Sequence, residues 1–213
     1  MSIYVVGSTK NKFRHMDNLR EKFFVDQPHK GDNIDRFNPF CCELTGLYYM
    51  WKHGNDEIVG LEHYRRYLSV KGNAPIGEDE IRKRLQTADV LCTTVSYGYS
   101  PIKTYFVKNG KLEPLLRYMT FLEVMEGRRY AEHCRNYMNG NVHVLGNIFI
   151  AKRSFLDEYA PYLFRTLGCF YRAEKAYGRP LQPRILGYLS EFLYGAWISS
   201  RGKRCDRIGF CWN

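Results

Sequence analysis

A short apolar run that leads directly into cationic and aromatic residues constrains the fold more than any other part of this sequence. Ile58, Val59 and Leu61 are typical of a buried strand, and residues 63–66 that follow read His-Tyr-Arg-Arg. Open α/β sheets bind ligands at the ends of such strands. The sequence therefore predicts an α/β fold with a ligand site at this strand end.

The arginine pair in this segment indicates an anionic ligand. Arg65 and Arg66 present planar guanidinium groups that bind phosphate or carboxylate oxygens in pairs and stay charged at physiological pH. A solvated basic strand end is the alternative, because 32 Lys and Arg against 22 Asp and Glu give the chain a net charge of +10. That charge favours nucleic acid, an acidic membrane surface or phosphorylated small molecules, and it does not choose among them.

The cysteines and the N-terminal residues predict an intracellular location. Seven cysteines occur without CxxC or Cys/His metal spacing, so we expect reduced, mostly buried thiols in the cytoplasm. Residues 1–7 are too short an apolar run for a signal peptide, and no segment reaches the about 18 apolar residues of a membrane span. Any membrane contact is therefore expected to be peripheral, at the cytoplasmic face.

Apolar runs alternate with helical periodicity along the chain. Strands are predicted at residues 2–6, 58–62, 89–94 and 142–151. Helices are predicted over residues 38–53, with Asn38 as the cap, 78–88, 112–137 with an interruption near Gly127, 154–177 and 183–200, and an aromatic loop over residues 97–110. This succession predicts a single α/β domain over residues 1–213, with a mixed central sheet flanked by helices.

Common enzyme signatures are absent from the sequence. No GxxxxGK[ST], GxGxxG, HExxH or GxSxG motif occurs, which disfavours common nucleotide hydrolases, Rossmann oxidoreductases, zinc peptidases and α/β-hydrolases. A nucleic-acid-binding module is one alternative class, because positive charge and abundant tyrosine suit backbone contacts and base stacking. The chain contains no recognisable nucleic-acid-binding motif, so nucleic acid is not expected as a partner. A catalytically inactive interaction protein is the other alternative.

Two longer motifs carry a family resemblance. Residues 38–52 read NPFCCELTGLYYMWK and residues 59–68 read VGLEHYRRYL, and matching segments lie at residues 31–34, 146–150, 155–159 and 184–191. In these segments the chain closely resembles a family of bacterial capsular and exopolysaccharide glycosyltransferases, long described as a domain of unknown function. The resemblance spans nearly the whole chain, although the segment before residue 31 is short and residues 97–110 diverge.

The resemblance implies a GT-A-like, Rossmann-like domain that transfers a sugar, of hexosyl type, from a nucleotide-diphosphate sugar such as a UDP-sugar. The acceptor would be a glycan or a lipid-linked glycan in capsule, exopolysaccharide or O-antigen synthesis. Many GT-A enzymes carry Asp-x-Asp at the corresponding strand end, where it holds a divalent metal on the donor diphosphate. Because Arg65 and Arg66 stand there instead, we infer that they replace the metal and that no cofactor is needed. Asp32 and Asp35 keep a Mn²⁺- or Mg²⁺-dependent alternative open.

Candidate donor and base residues follow from this reading. We expect the donor diphosphate at His63, Tyr64, Arg65 and Arg66, with Thr9 and Asn33 nearby. An inverting transfer needs a base for the acceptor hydroxyl, and Glu191 is the first candidate, followed by Glu62 and Asp32. Glu191 lies on a helix of apolar spacing, where an unpaired carboxylate is costly. Its alternative role is a simple ion pair with Arg184 on the same helix.

Candidate acceptor or sugar contacts come from the second half of the chain. We expect them at Asn147, His143, Tyr97, Tyr99 and Arg184. Asn147 follows a glycine within a strand, which is typical of a close approach between backbone and ligand, or of a bulge. His143, like His63, has a scaffold role as its alternative.

Overall fold

The computed structural model of the chain describes residues 1–212. The strands are β1 (Ser2–Gly7), β2 (Arg20–Phe24), β3 (Ile58–His63), β4 (Arg66–Ser69), β5 (Val90–Ser96), β6 (Val142–Lys152), β7 (Cys205–Arg207) and β8 (Gly209–Trp212). The helices are α1 (Asn38–Cys41), α2 (Leu44–His53), α3 (Glu78–Arg84), α4 (Lys103–Lys108), α5 (Leu112–Glu126), α6 (Arg128–Asn139), α7 (Arg153–Ala176) and α8 (Ile185–Ser200).

The strands join in one mixed sheet in the order β2-β1-β3-β6-β5-β7, and β4 pairs with β3 and β8. β1 is parallel to β2 and β3, whereas β6 runs antiparallel to β3 and β5. Helices cover both faces. Val59 and Phe149 pack against α2 and α4–α8 on one face, and Ile58 and Ile150 pack against Ile81 of α3 on the other. The predicted α/β fold with a mixed sheet flanked by helices is confirmed.

Three local predictions need correction. Strand β2 was not expected, because its sequence Arg-Glu-Lys-Phe-Phe is largely charged. The helix predicted over residues 38–53 is broken at Cys42, whose φ of 52° and ψ of −124° are not helical, and Phe37 rather than Asn38 is the N-cap. The aromatic stretch expected to be a loop contains α4.

The predicted state of the cysteines is wrong for two of the seven. Cys92 of β5 and Cys205 of β7 form a disulfide, because these strands are neighbours in the sheet. The other five cysteines are free thiols. No helix within residues 1–212 has the length and apolar character needed to cross a membrane.

The arginine cluster lies on a tight turn between two strands. β3 ends at His63, Tyr64 and Arg65 form the turn, and β4 returns antiparallel with Arg66 paired to His63. Adjacent residues on one strand point to opposite faces. Because the first strand has already ended, the turn allows both arginines to reach the same space.

A buried ion pair lies under this hairpin. The Arg20 guanidinium donates from Nε to Glu62 Oε2 at 2.7 Å and from Nη2 to Glu62 Oε1 at 3.3 Å, and neither side chain is exposed. The backbone N–H of Leu68 donates to Glu62 Oε1 at 2.8 Å. Glu62 therefore ties β2, β3 and β4 together.

We expect Glu62→Ala to lower the free energy of unfolding by about 3–5 kcal/mol, because it leaves the Arg20 charge buried without its main partner. Urea denaturation measures this loss. Glu57→Ala is the control, since that side chain is 84% exposed and lies 3.9 Å from Arg82, a surface contact worth under about 1 kcal/mol. A loss for Glu62→Ala no larger than the control's would contradict the assignment.

Candidate active site

A cavity of about 220 Å³ opens where the β3–β4 turn meets β6 and the N-terminal turns of α2 and α8. Polar side chains dominate its lining. The lining residues are Glu43, Leu61, Glu62, His63, Arg65, Arg66, Tyr105, Gly146, Asn147, Ile148, Arg184, Tyr188 and Glu191. The fold therefore brings three of the six predicted donor contacts, two of the three predicted bases and two of the five predicted sugar contacts to a single place.

Three arginines form the cationic side of the cavity. Arg65 and Arg66 come from the hairpin, and Arg184 precedes α8 in a left-handed conformation, with φ of 63°. The backbone N–H of Arg184 donates to the carbonyl of Pro39 at 2.8 Å, which fixes this turn against α1. Within residues 1–212 none of the three makes an ion pair with a carboxylate, and Arg66 Nε is buried without a hydrogen-bond partner. Arg66 Nε is therefore available to an anion, whereas the Arg184 side chain hydrogen-bonds to Cys42.

His63 supports the turn in its neutral form. Its Nδ1 accepts from the backbone N–H of Arg65 at 3.4 Å. Burial, followed by the charges of Arg65, Arg66 and Arg184, lowers the pKa of His63 to about 3. The imidazole is therefore uncharged at physiological pH, and its contact to the turn is that of a scaffold residue.

Glu191 is the carboxylate with the most strongly altered acidity in the cavity. Burial, followed by the nearby Glu43 carboxylate, raises the pKa of Glu191 to about 8, although Arg66 and Arg184 act in the opposite direction. Tyr105 Oη donates to Glu191 Oε2 at 3.3 Å. The described residues contain no Arg184–Glu191 ion pair. A carboxylate with a pKa near neutrality suits proton transfer, because both of its protonation states are accessible.

A bulge in β6 carries the amide of Asn147 into the cavity. The pairing with β5 shifts between Cys92↔Phe149 and Thr94↔Val144, and Gly146 has a φ of 69° at this irregularity. Asn147 Nδ2 donates to Glu43 Oε1 at 2.8 Å, whereas Asn147 Oδ1 is buried without a partner. The bulge is therefore observed, but the Asn147 side chain bonds to Glu43 and leaves one amide oxygen free to accept from a ligand hydroxyl.

Tyr105 and Tyr188 form the aromatic side of the cavity, with ring centroids 5.8 Å apart. Tyr188 was not predicted, although it precedes Glu191 by three residues on α8 and so shares its helix face. Tyr188 Oη donates to Asn109 Oδ1 at 3.0 Å. This contact, with the Tyr105–Glu191 bond, ties the segment around α4 to α8. Glu43, which immediately precedes α2, also lines the cavity and was not among the predicted site residues.

Other predicted residues lie outside the cavity or have their polar atoms engaged. Asp32 accepts from Tyr48 Oη at 2.9 Å, and Asp35 accepts from the backbone N–H of His29 at 2.7 Å. Asn33 donates to the carbonyl of His29 at 2.8 Å in the same turn. Thr9, on the loop that follows β1, donates through Oγ1 to Asp26, which lies just after β2. Glu62 reaches the lining, but Arg20 and Leu68 already occupy its oxygens.

The remaining predicted sugar contacts stand behind or away from the cavity. His143 is fully buried, and its Nδ1 lies 3.3 Å from Tyr97 Oη, while Tyr99 is fully exposed. Burial lowers the pKa of His143 to about 4. His143 and Tyr97 therefore form a layer behind Tyr105. In the described part of the chain, no three His, Cys, Asp or Glu side chains are grouped so that they could hold a metal ion.

Comparison with known proteins places the fold and the family. A solved structure of the WbbM bifunctional glycosyltransferase in its apo form is similar, with a TM-score of 0.78 and 18% sequence identity. The similarity covers 99% of this chain and 45% of that one, so the chain spans less than half the length of WbbM. No curated protein matches the sequence. The family model described as Domain of unknown function (DUF4422) matches residues 3–202, and the chain belongs to that family.

Proposed function

We propose that this protein is a glycosyltransferase of the GT-A type that transfers a sugar, a hexosyl group, from a nucleotide-diphosphate donor such as a UDP-sugar. The main supporting observation is a cavity lined by Glu191 and by three arginines that make no ion pair with a carboxylate within residues 1–212. The similarity to WbbM supports glycosyl transfer as the activity of this fold. The acceptor is a glycan or lipid-linked glycan of capsule, exopolysaccharide or O-antigen synthesis, at the cytoplasmic face of the membrane.

The reaction assigns a task to each side of the cavity. The acceptor oxygen forms a bond to the anomeric carbon, and the bond between that carbon and the diphosphate oxygen breaks. Glu191 takes the acceptor proton in an inverting transfer. Arg65, Arg66 and Arg184 neutralise the negative charge that develops on the leaving diphosphate. The free Asn147 Oδ1 accepts from a sugar hydroxyl.

Metal independence is part of the proposal, because Arg65, Arg66 and Arg184 line the cavity and can neutralise a diphosphate without a metal. We expect transfer to persist in EDTA at a rate within about twofold of that in Mg²⁺ or Mn²⁺. Product formation from the best donor, followed by chromatography, measures this. Complete loss in EDTA that added metal reverses would instead favour metal dependence through Asp32 and Asp35.

A thermal-shift screen across nucleotide sugars identifies the donor directly, because a ligand that binds only the folded state raises the Tm by mass action. The expected result is a rise with one nucleotide-diphosphate sugar and with its free nucleotide diphosphate. If single-stranded oligonucleotides raise the Tm and no nucleotide sugar does, the nucleic-acid-binding alternative replaces this proposal.

A further inference from the structure

A second concave site lies on the other side of α1 from the candidate active site. This groove has a volume of about 620 Å³. Its lining residues are Ile34, Arg36, Phe37, Phe40, Cys41, Leu44, Tyr48, Phe164, Leu167, Gly168, Tyr171, Arg172, Lys175 and Leu186. The volume falls within the range of small-molecule sites, about 300–1,000 Å³.

The floor and walls of the groove are apolar. Leu44, Leu167 and Leu186 are almost fully buried at the floor. Aromatic rings from α1 and α7 form the walls, where Tyr171 packs at right angles on Phe37, with centroids 5.3 Å apart. Such a lining favours an apolar occupant, because covering it removes apolar surface from water.

The rim of the groove carries one sign of charge. Arg36, Arg172 and Lys175 line it, and no acidic residue does. Within residues 1–212 none of these three cations makes an ion pair: Arg36 lies over the ring of Phe37, and Arg172 donates to the sulfur of Cys169. Two carboxylates of the neighbouring turn have other partners: Asp32 accepts from Tyr48 and lies 3.6 Å from Lys52, and Asp35 accepts from the backbone N–H of His29.

An apolar groove with a cationic rim is complementary to an amphiphile that has an apolar chain and an anionic head group. We propose that the groove binds a single-chain lipid with a phosphorylated head group, the chain against the aromatic walls and the phosphate at Arg36, Arg172 and Lys175. Arginine and lysine bind phosphate oxygens strongly, and the chain supplies the apolar contact.

The groove is adjacent to the candidate active site through the break between α1 and α2. Cys41 and Leu44 line the groove, whereas Cys42 and Glu43 lie on the side of Arg184 and Glu191. A lipid held in the groove therefore lies across the α1–α2 break from the cavity. If the proposed glycosyl transfer holds, this places the lipid portion of the acceptor; the binding site itself does not depend on that activity.

Gly168 offers a way to fill the groove without disturbing the core. It lies on α7, and an added Cβ would have only Arg172 Nη1 nearby, at 3.6 Å. Gly168→Phe therefore places a ring in the groove, and it replaces glycine in a helix interior, where glycine is unfavourable. Val124→Phe is the matched control, because that side chain is 82% exposed on α5, away from the groove.

The experiment measures binding of dodecyl phosphate below its micelle concentration by calorimetry, without any nucleotide. We expect saturable binding that Gly168→Phe weakens at least about tenfold, and that Val124→Phe leaves unchanged. The triple variant Arg36→Gln, Arg172→Gln, Lys175→Gln should weaken dodecyl phosphate to the level of neutral dodecyl maltoside. UDP binding should be unchanged in all variants, which separates this result from a failure of the proposed transfer.

Opposite results overturn the inference. Equal binding of dodecyl phosphate and dodecyltrimethylammonium would show that the cations do not select the head group. Binding that Gly168→Phe does not weaken would place the lipid elsewhere, and an absence of binding by any amphiphile would remove the site. Inorganic phosphate that binds as tightly as dodecyl phosphate would reassign the rim to a free anion.

Discussion

Replacing Arg66 with alanine should lower kcat/KM for glycosyl transfer by about 100-fold or more. Arg66 is the cavity arginine whose Nε is buried without a partner, so its donors are free for the diphosphate. Removing a single group that stabilises developing negative charge typically costs about 10²–10³ in rate. The same variant should bind UDP more weakly, and calorimetry measures that loss separately from turnover.

Arg65→Ala should also lower kcat/KM and weaken UDP binding, but by less than Arg66→Ala. Arg65 lines the cavity but is exposed on the turn, where water screens its charge. Lys71→Ala is the matched control, because Lys71 is an exposed cation just beyond β4. Unchanged UDP affinity in both arginine variants would remove the central claim about the diphosphate site.

Glu191→Gln should reduce kcat by about 1,000-fold while UDP binding remains. Glutamine keeps the shape of the side chain and its contact with Tyr105, but it cannot take a proton. Positioned acid–base groups contribute about 10²–10⁴ in rate. A kcat within about tenfold of the unmodified protein would assign the base role to another group.

The pH profile gives a second measure of the same residue. Because Glu191 acts unprotonated and its pKa is about 8, kcat/KM should rise with pH and level off above about pH 8. Glu43→Gln removes the neighbouring carboxylate that raises this pKa, so the rising part should move to lower pH. If Glu43→Gln does not move the rising part of the pH profile, the group that titrates in the profile is not Glu191.

The pH dependence of the free energy of unfolding should show the raised pKa of Glu191 in the absence of substrate. Between the ordinary glutamate pKa of about 4.3 and about 8, folded Glu191 holds a proton that the unfolded chain releases. The free energy of unfolding therefore falls as pH rises through that window. In Glu191→Gln this part of the pH dependence should disappear, so that the variant gains Tm relative to the unmodified protein at pH 9.

The sequence predicted those parts of the fold whose signals are local. Ile58 and Val59 mark β3 by apolar character alone, and the positive charge of the next residues follows directly from reading along the chain. Gly127 marked the boundary between α5 and α6, where its φ of 87° breaks the helix. Glu191 was chosen as a candidate base because an unpaired carboxylate on an apolar helix is energetically costly.

The rest depends on pairings that distant parts of the chain make. Arg20 made β2 look like a loop, because its partner Glu62 lies 42 positions away. The approach of Glu43 to Asn147 joins residues 104 positions apart across a kinked helix and a bulged strand. No periodicity encodes either contact. Asp32 followed from the family resemblance, but it accepts from Tyr48 and is not among the residues that line the cavity.

The bulge in β6 also has a consequence for how this family can vary. Four residues, 145–148, separate Val144 from Phe149, whereas a single residue separates their partners on β5. Since side chains alternate along a strand, the loss or gain of one residue here would turn the Asn147 side chain to the opposite face of the sheet. Across related sequences, the number of residues in this short segment should therefore vary less than their identities. Under the proposed function, an alignment gap at this point would mark a relative in which Asn147 does not contact the sugar.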